Sequence, residues 1–224
     1  MADLEKGRKV DLSHVIEHGM TTYKGLPGPH ICDFWTREST VGRYDEGATF
    51  QIGRIDMVAN TGTYVDSPFH RYADGKDLAE VPLDSLADLP GIVIRRPYES
   101  GLATDEAELK PFAVRGKAVL IHTGWDRHWR TDAYGVGHPF LTAAAAEWLA
   151  ENGAALVGID SNNIDDTRGQ SRPVHTALLG ADIPICEHMT GLGRLPDEGF
   201  RFSAVPPKVR GMGSFPVRAY AVLD

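Results

Sequence analysis

The sequence predicts an α/β fold in a single domain of residues 1–224, with a mixed sheet and flanking helices. Short apolar runs bounded by glycine, proline or charge recur along the chain, as is typical of buried strands. A helical pattern at residues 141–152 is followed directly by an apolar strand pattern at 155–159, which indicates an α/β layer. A chain of 224 residues, 42% of them hydrophobic, can bury one large core without disulfides.

Each element has a local signal. Residues 50–58 alternate in character, as strand residues do. The helix at 141–152 has an N-cap in Thr142, alanines that favour helix, and a C-terminal stop in Gly153. A short helix is predicted at 173–179, where proline occupies the first turn. The predicted strands are residues 10–13, 50–58, 91–94, 118–122, 155–159, 183–187 and 217–222.

Composition narrows the classes of partner. The net charge of −8 argues against nucleic acid and against an anionic membrane surface, because both require a basic face. No apolar run approaches the roughly 18–20 residues that span a bilayer, and the start of the chain has no apolar signal core. Cys32 and Cys186 lie outside any C-x-x-C pair, so we expect both to be reduced and buried. These features predict a cytoplasmic protein.

The segment Asn60-Thr-Gly-Thr-Tyr-Val-Asp-Ser-Pro-Phe-His70 concentrates groups that carry chemistry. In an extended backbone alternate side chains project to one side, and here these belong to Asn60, Gly62, Tyr64 and Asp66. Asp66 is the natural ligand for a hard metal ion among them. His70 lies close enough in the chain to serve the same pocket as an acid or base.

Structural interpretations compete with these. A lone histidine such as His70 is more often a hydrogen-bonded core residue, and Asp66 is also suited to capping the turn that follows it. We favour function for both because several suitable groups converge. For Asn60 and Tyr64, substrate contact and plain packing stay equally open. The polar run at residues 161–166 is interpreted as a turn rather than a binding loop.

The segment resembles the signature of the cyclase/kynurenine-formamidase family, H-x-G-T-H-x-D-x-P-x-H. Five of its seven fixed positions match, and Asn60 and Tyr64 stand where the family has histidines. Other parts of the chain resemble the family in the same order, at residues 11–14, 158–160, 173–175, 185–187 and 211–219. The resemblance implies the family's swivelling β/β/α fold and a homodimer or higher homo-oligomer.

The resemblance also implies a ligand set. In dinuclear family members the signature histidines and aspartate hold one metal, and the aspartate bridges to a second metal held by a downstream histidine and glutamate. By that correspondence Asp66, His175 and Glu187 form one intact site for a zinc or manganese ion. The other site has Asn60 and Tyr64, which bind zinc poorly compared with imidazole, so a full metal pair is not expected.

The activity that the resemblance implies is hydrolysis of an amide, formamide, cyclic amide or lactone bond in a small molecule. A metal ion at Asp66, His175 and Glu187 would lower the pKa of a water toward ~7, with His70 as general acid/base. Without metal, His70 and Asp66 would activate water directly. Two alternatives stay open: a metal-independent lyase or polyketide cyclase that uses His70, and a catalytically silent ligand-binding homologue. His188 would point away from Glu187 in a strand and is left out of the site.

Overall fold

The computed structural model describes residues 6–224 and confirms an α/β fold built on one long mixed sheet. The strands are β1 Lys9–Asp11, β2 His30–Trp35, β3 Ile52–Asp56, β4 Tyr64–Asp66, β5 Leu89–Arg95, β6 Ala103–Thr104, β7 Ala118–His122, β8 Phe140–Leu141, β9 Leu156–Ile159, β10 Ile185–Glu187, β11 Phe200–Ser203, β12 Ser214–Pro216 and β13 Tyr220–Leu223. The α-helices are α1 Glu106–Leu109, α2 Ala143–Glu151 and α3 Pro173–Gly180. Nine strands form the sheet in the order β1-β13-β11-β5-β7-β9-β10-β4-β12.

The middle of the sheet is parallel and buried on both faces. Strands β5, β7, β9 and β10 run parallel, and antiparallel strands flank them on both sides. Leu120 belongs to the core on one face, and its neighbour Ile121 packs on the other face with residues of α2 and α3. Burial on both faces explains why these strands appear in the sequence as continuous apolar runs.

The predicted helices are confirmed to within a residue or two. Thr142 adopts an extended backbone, and its hydroxyl accepts a hydrogen bond from the backbone N–H of Ala145 at 3.2 Å. The helix ends at Glu151, and Gly153 follows with a φ of +72°. α3 begins at Pro173, as its sequence predicts.

The predicted strand at residues 50–58 has a different setting from the one its pattern suggests. It is shortened to β3 and pairs with β2 in a separate two-stranded ribbon, outside the large sheet. Both faces of this ribbon are largely exposed, including Phe34 and Ile55. The alternation therefore marks a solvent-facing ribbon and not a strand with one buried face.

Of the two cysteines expected to be reduced and buried, both are free thiols. Only Cys186 is buried, whereas Cys32 is half-buried.

Across residues 6–224 no helix combines the length and apolar character that crossing a bilayer requires.

Strand register positions the chemistry-bearing segment. β4 lies between β10 and β12, so Tyr64 faces Glu187 across one ladder and Asp66 faces Ser214 across the other. β10 is in turn parallel to β9, whose carboxyl end leads into the polar run at 161–166. Residues about 120 to 150 positions apart in sequence therefore meet at one edge of the sheet.

Candidate active site

Gly62 and Thr63 attach the segment to its surroundings. Gly62 has a φ of +65°, and a Cβ there would lie 3.1 Å from Ile16 Cγ1. The Thr63 hydroxyl donates to the His188 carbonyl at 2.6 Å and accepts from the His14 backbone N–H at 3.0 Å. Gly62 therefore allows the left-handed backbone conformation at this point. Thr63 links the N-terminal segment to the end of β10.

The expectation of four side chains on one face is wrong. Only residues 64–66 form a strand, so only Tyr64 and Asp66 are related by the alternation of side chains in a strand. The left-handed backbone at Gly62 breaks the alternation before it reaches Asn60. Asn60 is half-buried, and its side chain makes no hydrogen bond within residues 6–224.

Asp66, Ser214 and His70 form a hydrogen-bonded chain. Asp66 is fully buried, and the Ser214 hydroxyl donates to its Oδ1. The Ser214 oxygen lies 2.9 Å from Nδ1 of His70, which follows Pro68 on a 3₁₀ helix. Because the Ser214 proton points to the carboxylate, its oxygen accepts from Nδ1–H of His70. The neutral ring then carries its lone pair on Nε2, and 37% of the His70 side chain is exposed.

His175 lies between three carboxylates. Its Nδ1 is 2.6 Å from Asp165 Oδ2, while its Nε2 is 3.6 Å from Asp66 Oδ2 and 3.8 Å from Glu187 Oε1. Burial by itself would lower the pKa of His175, but the hydrogen bond to Asp165 and the nearby carboxylates of Asp66 and Glu187 raise it to about 10. Asp165 also accepts from two backbone N–H groups at the start of α3, which fixes the pair.

One carboxylate oxygen of the site, Asp66 Oδ2, is unpaired. It is buried and has no hydrogen-bond partner among the residues that the structure describes. Buried carboxylate oxygens are almost always paired, so an atom of this kind needs a proton donor or a cation.

Both carboxylate oxygens of Glu187, by contrast, accept hydrogen bonds. The residue is fully buried, and its Oε2 accepts from the Tyr64 hydroxyl at 2.5 Å. The Tyr23 hydroxyl lies 2.9 Å from that of Tyr64 and 3.4 Å from Glu187 Oε2. The other oxygen, Oε1, accepts from the backbone N–H of Ile164 at 2.6 Å. Burial, followed by the charge of Glu187, raises the pKa of both tyrosines well above 10, so both keep their protons.

The structure brings together most of the predicted site residues. Among the described residues, one group of three has ligand atoms that all lie within 4.8 Å of one another, and it consists of Asp66, His70 and His175. Glu187 adjoins this group through His175. Tyr64 does not complete it, because its hydroxyl donates to Glu187, and Asn60 makes no hydrogen bond to any member of the group among the described residues.

Four residues of the site were not predicted: Tyr23, Asp165, Ser214 and His188. Asp165 lies in the polar run interpreted as a turn, and its buried carboxylate in fact orients His175. The expectation that His188 points away from Glu187 is wrong. β10 ends at Glu187, and His188 has a φ of +52°, which turns its ring to within 5.3 Å of the Tyr64 ring. No sequence pattern assigned Tyr23 or Ser214 to the site, although Ser214 lies within the stretch 211–219 that resembles the family.

Comparisons with known proteins find relatives in both sequence and fold. Residues 10–166 match the family model described as "Putative cyclase". A kynurenine formamidase from Erythrobacter litoralis is 31% identical over 84% of this chain and 84% of its own length. A crystal structure of an isatin hydrolase, bound to the product analogue thioisatinate, has a TM-score of 0.81 and 20% identity, covering 96% of this chain and 92% of that one. A potential metal-dependent hydrolase with cyclase activity has a TM-score of 0.79 and 24% identity, covering 97% and 98%.

Proposed function

The chain belongs to the cyclase family and is an enzyme of the amidohydrolase type, and we propose that it hydrolyses the C–N bond of small amides, including formamides and cyclic amides. The observation that carries the proposal is the unpaired, buried Asp66 Oδ2, 3.6 Å from Nε2 of His175. The names of the relatives, kynurenine formamidase and isatin hydrolase, support this bond type.

The donor set fits one divalent cation. A carboxylate oxygen and an imidazole nitrogen suit zinc or manganese, and Asp165 holds His175 as carboxylates hold metal-binding histidines. We propose Asp66 and His175 as ligands, with Glu187 as the third group. A bound ion would polarise the substrate carbonyl and lower the pKa of a water. A second ion does not fit, because the Tyr64 hydroxyl donates to Glu187 where the family has an imidazole.

His70 moves the proton in this proposal. Its free Nε2 accepts a proton from the attacking water as the water oxygen bonds to the carbonyl carbon. The same proton then passes to the leaving nitrogen as the C–N bond breaks, giving a carboxylic acid and an amine. Ser214 and Asp66 hold His70 in the tautomer that this step requires.

Turnover of formanilide, followed by release of aniline, tests the proposal. Replacing His70 with Ala should lower kcat by about 10²–10⁴-fold while bound metal stays unchanged, because proton transfer contributes that much to such reactions. His18→Ala, at an exposed histidine, is the matched control. Unchanged turnover in His70→Ala would exclude the role, and full turnover by metal-free protein would favour direct activation of water by His70 and Asp66.

The proposal extends to assembly and location. We propose a homodimer or higher homo-oligomer in the cytoplasm, with a small-molecule substrate as the partner of the site. The exposed apolar side chains of the β2–β3 ribbon, such as the cross-strand neighbours Ile31 and Ile55, support self-association, because exposed apolar surface is typical of interfaces. Light scattering of the purified protein gives the oligomeric state directly, and a monomer would contradict this part.

A further inference from the structure

The carboxylate of Asp77, outside the group of residues described above, holds the loop that leads into β12. Only 7% of the residue is exposed. Its Oδ1 accepts from the backbone N–H of Ala79 at 2.8 Å, and its Oδ2 accepts from that of Gly211 at 2.6 Å. The hydrogen bond from Gly211 is the main cause that lowers the pKa of Asp77, so the side chain is an ionised acceptor.

The two hydrogen bonds of Asp77 have different reach. Ala79 lies two residues along the chain, whereas Gly211 lies 134 residues away. An aspartate that bonds its own backbone two residues on forms a common turn, and that turn uses one of its carboxylate oxygens. The local turn therefore leaves Oδ2 free, and the structure pairs this oxygen with the distant loop.

Two more hydrogen bonds fix the loop in front of β12. The backbone N–H of Leu78 donates to the Met212 carbonyl at 3.0 Å. The backbone N–H and the hydroxyl of Ser67 both donate to the Gly213 carbonyl, at 2.7 and 3.0 Å. Together with the contact to Asp77, these bonds fix three consecutive loop residues to the segment 67–78, which also carries the proposed general base.

The same loop lies directly against the backbone of His70. A Cβ at Gly213 would be 2.5 Å from the His70 backbone nitrogen and 2.6 Å from its Cα, so glycine permits this close approach. β12 is the last strand of the nine-stranded sheet and pairs there with β4 on one side. The loop contacts therefore help to set the position of its first residue, Ser214, whose hydroxyl oxygen lies 2.9 Å from His70 Nδ1.

We propose that Asp77 is a positioning residue for proton transfer that acts through Ser214 on His70. By holding Gly211, its carboxylate keeps the Ser214 oxygen where it accepts from Nδ1–H of His70. If that oxygen is displaced, the ring proton is free to occupy Nε2, and Nε2 then cannot accept a proton from water. This inference rests on the proposed hydrolysis, in which His70 is the base, but the tautomer of His70 is measured without turnover.

¹⁵N NMR of the imidazole rings measures the tautomer directly. Metal-free protein is used at about pH 8.5, where an ordinary imidazole is neutral, and the signals lost in His70→Ala assign the ring. The wild-type protein should show His70 as Nδ1–H, and Asp77→Asn should show more Nε2–H, because asparagine offers one acceptor oxygen to two N–H donors. Asp74→Asn, at an exposed carboxylate nearby, is the matched control and should resemble the wild type. Nε2–H in the wild type, or an unchanged tautomer in Asp77→Asn, would overturn the proposal.

Kinetics with formanilide distinguish action through Ser214 from a general loss of structure. Asp77→Asn should lower kcat by about 10-fold while KM changes less than about threefold, because a misplaced base slows the chemical step. Asp77→Asn combined with Ser214→Ala should lose no more activity than Ser214→Ala alone, since both substitutions act on the same hydrogen bond. Additive losses, or a change confined to KM, would overturn the proposal.

Asp77→Ser is a second variant that serves if Asp77→Asn does not fold. A serine hydroxyl still accepts from Ala79 in the local turn, but it is too short to reach Gly211, so the tautomer and kcat should change as in Asp77→Asn. A folded Asp77→Ser with the wild-type tautomer would overturn the proposal. Failure of the proposed hydrolysis is recognised separately, because the variants would then differ from the wild type in the His70 tautomer while none of them hydrolyses formanilide.

Discussion

The carboxylates of Asp66 and Glu187 lie on either side of Nε2 of His175, and they are paired in different ways. Asp66 has one oxygen bonded to Ser214 and one oxygen without any partner among the described residues. Glu187 has both oxygens occupied, one by a phenol and one by a backbone N–H. Asp66 Oδ2 makes no hydrogen bond within residues 6–224, and Nε2 of His175 lies 3.6 Å away from it, whereas a phenol and a backbone N–H already donate to Glu187. Under the proposed function, this difference leaves a place for one ion and not for a pair.

The largest expected effect concerns the carboxylate behind His175. Replacing Asp165 with Asn removes its negative charge and replaces one of its two acceptor oxygens with an N–H donor, so metal affinity should fall by about 10–100-fold, as it does when such partners are lost. The adjacent Asp166→Asn is a matched control, because Asp166 contacts Arg168 at the surface. Competition with a chromogenic chelator measures both. Equal affinity in Asp165→Asn and Asp166→Asn would show that His175 is not a ligand.

The second expected effect is a pH dependence of metal affinity at His175 and Asp66. Metal-free His175 has a pKa of about 10, so Nε2 is protonated at pH 8 and a metal ion must displace that proton. Metal affinity should rise about tenfold per pH unit up to about 10. Calorimetry in two buffers of different ionisation enthalpy counts the proton released, and no release at pH 8 would contradict the assignment.

The raised pKa of His175 also has a consequence for stability. Since the folded pKa lies above the unfolded value of 6.5, protonation stabilises the metal-free protein fully below pH 6.5. That contribution is lost as the pH rises toward 10. Thermal unfolding of metal-free protein between pH 6 and 10 should therefore show a falling Tm, less steep in His175→Gln.

The smallest expected effect is a loss of stability when Glu187 loses its phenolic hydrogen-bond donor. Tyr64→Phe removes a donor from a buried carboxylate, and the free energy of unfolding should fall by about 1–3 kcal/mol, the cost of an unsatisfied buried group. Bound metal should stay the same if Tyr64 is not a ligand. Tyr72→Phe is the control, because the Tyr72 hydroxyl bonds a carbonyl near the surface. Loss of metal in Tyr64→Phe, measured by elemental analysis, would contradict the claim that Tyr64 is not a ligand. The distinction between the Asp66 and Glu187 carboxylates would then fail.

Local patterns were enough to predict the fold class and much of the site. The family predicted from the signature is confirmed, as are α2 with its Thr142 cap and the buried strands of the parallel core. The signature also includes Asp66 and His70, which the structure groups with His175. These features depend on neighbours in sequence, and sequence patterns report such neighbours well.

The missed features depend on distant contacts. Ser214 reaches Asp66 across 148 residues, and the turn at His188 is held by Thr63 across 125. Residues 50–58 alternate like a half-buried strand, yet their partner strand is β2 and their setting is the surface. Periodicity describes the shape of a segment and does not say which segment will pack beside it.

Elemental analysis of the wild-type protein, after incubation with excess zinc or manganese and desalting, tests the central claim most directly. The account predicts about one metal ion per chain, and none in Asp66→Asn, because the unpaired Asp66 Oδ2 is the atom that requires the cation. Two ions per chain would contradict the comparison between Asp66 and Glu187. No ion at all would contradict the proposed metal-dependent hydrolysis.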